Sequence, residues 1–189
     1  MRIVLSAVLF ASVFAVACTE PTSPSQVNVP VRFDSEPGAN RSPAPVTGPA
    51  RVSDHNMGTH LSGDEEVPAR DTAAQGQAIF QVNDDGTAIS YKLNVANIEN
   101  VTQAHIHLAP AGANGGIVAW LYPAAPPSQL IPGRSQGTLG EGVITAASLV
   151  GSLAGQPLSA LLDAMRSGGA YVNVHTSQFP PGEIRGQID

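Results

Sequence analysis

Gln103-Ala104-His105-Ile106-His107-Leu108 is the stretch on which the reading of this chain turns. A β-strand sends successive side chains to opposite faces, so Ala104, Ile106 and Leu108 share an oily face while His105 and His107 share the other. An isolated His-x-His is ordinarily a surface strand that happens to hold two histidines. Two later stretches change that weighting. Ala170 to Thr176, AYVNVHT, sets Val172 and Val174 on one side and Tyr171, Asn173 and His175 on the other. Gly182 to Ile188, GEIRGQI, buries Ile184 and Ile188 and leaves Glu183, Arg185 and Gln187 on the polar side. If these strands are neighbours, their polar faces gather three imidazoles, a carboxylate and a guanidinium. His105, His107 and His175 are then candidate ligands for one metal ion, since imidazole suits both zinc and copper. Asn173, Glu183 and Gln187 are placed to fix the orientation of the rings.

The rest of the region from Met57 onward has the same texture, short alternating runs separated by Gly, Asn, Asp and Pro, as in an all-β domain. Strands are predicted at Met57–Ser62, Gln77–Val82 and Thr87–Val95, with Asn83-Asp84-Asp85-Gly86 as a hairpin turn in which Gly accepts positive φ. Asn97 to Thr102 reads as a connector. Asp64, Glu65 and Glu66 read as a solvated turn and His60 as incidental. Beyond the histidine strand come a Gly-rich loop from Ala109 to Gly116, a strand at Ile117–Tyr122 with Trp120 as packing, a loop at Pro123–Gly137 and a strand at Thr138–Ile144. The period then changes. Leu158, Leu161, Leu162 and Met165 recur at helical spacing between Pro157 and Gly168-Gly169, which predicts one short helix near 157–167.

The N-terminus carries Arg2 and then an uncharged apolar run to Val16, too short to span a membrane and of the form of a secretory signal. Ala15-Val16-Ala17-Cys18 resembles the lipobox of bacterial lipoproteins, which implies removal of residues 1–17 and lipidation of Cys18. Cys18 is the only cysteine, so no intrachain disulfide can form. Residues 18–56 follow as a Pro-rich tether, with too little apolar surface to offset chain entropy and His55 solvated at its end. Thr19 at the position after the cysteine, where Asp would retain the protein at the inner membrane, points to an exported protein at the outer membrane or cell surface. Its partner there is the membrane, held through the lipid anchor, with the domain in the periplasm or outside the cell.

The formal net charge is −6, there is no basic cluster, and Lys92 is the only lysine, which excludes nucleic acid as a partner. The Gly-rich loop lacks the Gly-Lys-Ser/Thr ending of a phosphate-binding loop.

With LSGDEEVP at residues 61–68, the NDDGT hairpin, QAHIHL, the Gly-rich loop, YVNVHT and GEIRGQI all in this order, the chain resembles the CHRD (chordin-type) domain family over Met57 to Asp189. A more distant resemblance is to copper-zinc superoxide dismutases. Their antiparallel sandwich carries an H-x-H strand, a late Val-His strand and a Gly-Xaa-Arg segment, matched here by His105 and His107, Val174-His175, and Arg185. That resemblance implies an antiparallel Greek-key β-sandwich of about eight strands, copper as the preferred metal with zinc as second choice, and Arg185 as a catalytic guide for a small anion such as superoxide. The departures are equally specific. There is no His-rich zinc loop, no fourth copper histidine and no disulfide, which leaves a single-metal site of three imidazoles.

Three functions are open at this level. The first is a copper-binding exported domain, with superoxide dismutation as its activity. The second is a non-catalytic surface module that binds a protein or glycan, its histidines belonging to a structural hydrogen-bond network. The third is a zinc hydrolase with Glu183 as base.

Overall fold

The computed structural model describes residues 55–189, and the expectations for residues 1–54, including the signal segment, Cys18 and almost all of the tether, lie outside the described residues. Among the described residues the strands are β1 (Asn56–Ser62), β2 (Gln75–Val82), β3 (Ile89–Glu99), β4 (Val101–Leu108), β5 (Gly116–Tyr122), β6 (Arg134–Ile144), β7 (Ala170–Thr176) and β8 (Ile184–Gln187), with one α-helix, α1 (Leu158–Arg166). The expected all-β antiparallel fold of about eight strands and one short helix is what forms. All eight strands belong to one sheet in the order β5-β4-β7-β8-β1-β2-β3-β6, and every pairing is antiparallel.

The alternation that predicted β2 and β3 is realised in burial. Ala78, Phe80 and Val82 of β2, with Ile89, Tyr91, Leu93 and Val95 of β3, line the core, while Gln75, Gln77, Gln81, Ser90 and Lys92 face solvent. Asn83 closes their hairpin twice, its N–H donating to Ala88 O at 3.0 Å and its side-chain Oδ1 accepting from Ala88 N at 2.9 Å. Gly86 takes φ 70° in the turn.

The sheet then curls until its edges approach. The Tyr91 hydroxyl donates to Leu121 O of β5 at 2.9 Å, and a Cβ on Gly140 of β6 would lie 2.5 Å from the same oxygen. The result is a nearly closed, barrel-like wall around Leu61, Phe80, Leu93, Ile106, Val172, Val174 and Ile184. The helix packs Leu158, Leu161, Leu162 and Met165 against that core and stops at Gly168, where φ is 66°. Among the described residues no helix is long and apolar enough to cross a membrane.

Two expectations are corrected here. Asn97 to Thr102 is no connector, because β3 runs to Glu99 and β4 starts at Val101, leaving only Asn100 between them. Asn97 and Asn100 have φ of 55° and 53°, a left-handed conformation that Asn tolerates better than most residues. The first accompanies a bulge that returns Ile98 to the core, and the second turns the chain into the histidine strand. His55, expected to be solvated, is half-buried with Nδ1 3.2 Å from Val82 O.

Candidate metal centre

The sheet order decides the site. β4 and β7 are some 60 residues apart in sequence yet adjacent in the sheet, with His105 opposite Asn173, His107 opposite Tyr171 and Gln103 opposite His175. Because side chains alternate, the polar members of both strands stand together on the outer face of the wall. The β4–β5 pairing is bulged on either side of His105 and Ile106, a feature that re-aims side chains near functional sites. That outer face is covered: β7 is buried along its whole length, and His105, His107 and His175 are 0%, 7% and 6% exposed. Their ligand atoms all lie within 4.8 Å of one another, so the group could hold a metal ion.

Backbone carbonyls fix two of the tautomers. His107 Nδ1 lies 3.0 Å from Gly115 O and His175 Nδ1 lies 2.9 Å from Pro180 O. A carbonyl can only accept, so both Nδ1 atoms carry hydrogen and both Nε2 atoms present a lone pair. His105 Nδ1 is 3.2 Å from His175 Nε2. That separation is close to the roughly 3.3 Å between two nitrogens bound at about 2.0 Å to a tetrahedral ion. His105 Nε2 and His107 Nε2 are buried without a hydrogen-bond partner. With its Nδ1 protonated, His107 Nε2 is an orphaned acceptor, a group rare in folded proteins, and three converging imidazoles fit a borderline metal ion.

The surroundings keep the imidazoles neutral. Desolvation, reinforced by the neighbouring His175 and His107, pushes the pKa of His105 down to about 3. Desolvation also lowers His107 to about 4, against the opposing pull of its hydrogen bond to Gly115. His175 is lowered by burial as well. Neutral imidazole is the ligating form, so no proton has to leave before a metal ion binds near neutral pH.

The remaining predicted residues take definite places. Asn173 donates from Nδ2 to Glu66 Oε1 at 2.6 Å. Glu183 is buried, and its two oxygens accept the hydroxyls of Thr72 at 2.8 Å and Thr176 at 2.7 Å. Gln187 Nε2 donates to Ala109 O, Gly168 O and Ala170 O at 2.8–2.9 Å. Arg185 is 1% exposed and donates to Ala113 O, Asn114 Oδ1, Pro110 O and Gln187 Oε1. Of these four, Asn173 is the direct cross-strand neighbour of a cluster histidine, while Glu183 is tied to threonine hydroxyls.

Sequence reasoning missed three contributors. Glu66 was read as part of a solvated turn with Asp64 and Glu65, yet only its neighbours are exposed. Glu66 is 7% exposed, and desolvation raises its pKa. Tyr171 stacks flat on His107, with centroids 4.9 Å apart and 9° between planes. Trp120 is half-buried and meets His105 edge to face at 4.3 Å, where simple core packing was expected. Tyr171 and Trp120 were legible as cross-strand neighbours of histidines once the register was known, whereas nothing local marks Glu66.

Fold and cluster together define the class: an antiparallel all-β domain that carries, outside its hydrophobic core, a covered group of three neutral imidazoles able to hold a metal ion. The family follows from comparison. The CHRD domain model matches residues 57–188, most of the chain, and the chain belongs to the CHRD domain family. No curated protein and no solved structure matches it.

Proposed function

We propose that this chain is an exported, lipid-anchored CHRD-domain protein whose His105, His107 and His175 bind a single metal ion, with copper preferred and zinc second. The observation that carries the reading is the pair of pinned tautomers beside the partnerless Nε2 atoms of His105 and His107. A structural network would be expected to satisfy its own buried acceptors. The preference for copper comes from the likeness to superoxide dismutase sandwiches alone, since a cluster of three imidazoles suits copper and zinc alike.

Copper held there supplies one-electron chemistry, and superoxide dismutation is the activity that this likeness implies. In that reaction Arg185 contributes through its charge, since its hydrogens already serve loop oxygens. Lipidation at Cys18 would place the domain on the outer membrane or cell surface, and a mass increase confined to an N-terminal peptide beginning at Cys18 tests this.

The metal reading is tested by elemental analysis of the purified full chain after exposure to copper and to zinc. One equivalent of copper, lost in His175→Ala, is expected. No uptake of either metal overturns the reading and leaves a surface module that binds a protein or glycan.

A further inference from the structure

We infer that Arg185 is a positioning residue for this centre: by clasping the 109–115 loop to β8 it sets the orientation and tautomer of His107, which it does not itself touch. The inference rests on the metal-binding reading above for its consequence, though not for its geometry.

The contacts run in sequence. Arg185 Nη1 donates to Ala113 O at 2.8 Å and to Asn114 Oδ1 at 3.4 Å, and Nη2 donates to Pro110 O at 3.2 Å. Gln187 adds a donation to Ala109 O at 2.9 Å, and Arg185 Nη2 in turn reaches Gln187 Oε1 at 3.2 Å. β8 therefore grips a loop that has no regular structure of its own. The loop ends at Gly115, where both backbone groups are used on the site. The carbonyl accepts from His107 Nδ1 at 3.0 Å, and the N–H donates to the Tyr171 hydroxyl at 3.1 Å. A Cβ on Gly115 would sit 1.8 Å from Leu108 O, so only glycine allows this approach.

A second route reaches the same imidazole. β7 lies between β4 and β8 in the sheet, and its Tyr171 ring stacks on His107 while the Arg185 guanidinium carbon lies 3.5 Å from that ring's centre. Loop and stack converge on His107 and leave its Nε2 as the free acceptor. The planar fork of arginine is what the loop oxygens need. Lysine keeps the charge but cannot donate in several fixed directions at once.

The test uses the full chain labelled with 15N-histidine, its metal-free side-chain 1H–15N spectrum, and competition titrations with copper and with zinc. The variants are Arg185→Lys and, because a change at a buried arginine can prevent folding, Asn114→Ala. Asn114 is exposed and links the loop to Arg185 and to Val67 O. Wild type is expected to show His107 as a single Nδ1–H tautomer. Both variants are expected to mix tautomers at His107 alone and to bind metal on the order of 10–100-fold more weakly. In a His107→Ala background the same changes should cost no further affinity. An unaltered His107 spectrum in a folded variant overturns the inference, whatever its melting temperature. Failure of wild type to take metal overturns the metal reading alone, because the tautomer is read without metal.

Discussion

Acidification of the metal-free protein should destabilise it from about pH 6.5 downward, above the range in which ordinary carboxylates titrate. The three cluster histidines are neutral when folded, while in the unfolded chain each returns to a pKa near 6.5. With the folded pKa below the unfolded one, the unfolded state binds more protons on acidification, so stability is greatest above pH 6.5 and falls as pH drops from there. For His105 and His107 the fall continues to about pH 3 and about pH 4, their folded values. At pH 5 each of these two has cost about 2 kcal/mol. Jointly that is about 4 kcal/mol, set against the roughly 5–15 kcal/mol that holds a typical domain folded. His175 acts in the same direction. Glu66 acts in the opposite one, because its raised pKa favours the protonated folded form as pH falls. Urea unfolding of chelator-treated protein between pH 7.5 and 5 measures the net effect. A midpoint that stays constant over that range, or an acid slope undiminished in His105→Gln/His107→Gln, where only the His175 share should remain, refutes the account of buried neutral imidazoles.

Three further outcomes are expected. Metal uptake near pH 7 should release almost no protons from the protein, so calorimetric heats corrected for metal–buffer binding should be the same in buffers of different ionisation enthalpy. Trp120 is the only tryptophan and lies 4.3 Å from the His105 ring, so copper should quench most of the indole emission, and His105→Ala should abolish the response. Gly182→Ala should lower stability by about 2 kcal/mol in thermal melting. Its φ is 137°, and the added Cβ would lie 2.5 Å from Asn173 Nδ2 and 2.6 Å from Glu66 Oε1.

The strands were legible because their alternation is local. The two faces of Gln103 to Leu108 and of Ala170 to Thr176 follow from the pleat alone, and the spacing of Leu158, Leu161, Leu162 and Met165 marks the helix without reference to anything distant. The break at Asn97 was misread as a connector, because a bulge interrupts the alternation without ending the strand. Glu66 shows the same limit on the polar side. Its sequence neighbourhood is acidic and turn-like, and only the docking of its loop over Asn173 makes it a buried partner.

The sequence by itself determined which residues could form strands, which face of each carried imidazole, and that one short helix would interrupt the β texture. Tertiary structure alone decided that β4 lies beside β7, that loops cover the face both share, and that the Arg185 guanidinium spends its hydrogens on a loop. The reason is that a side chain's face is set by a two-residue backbone repeat, whereas strand neighbours and loop cover are set by the burial that the whole sheet gains when it curls closed.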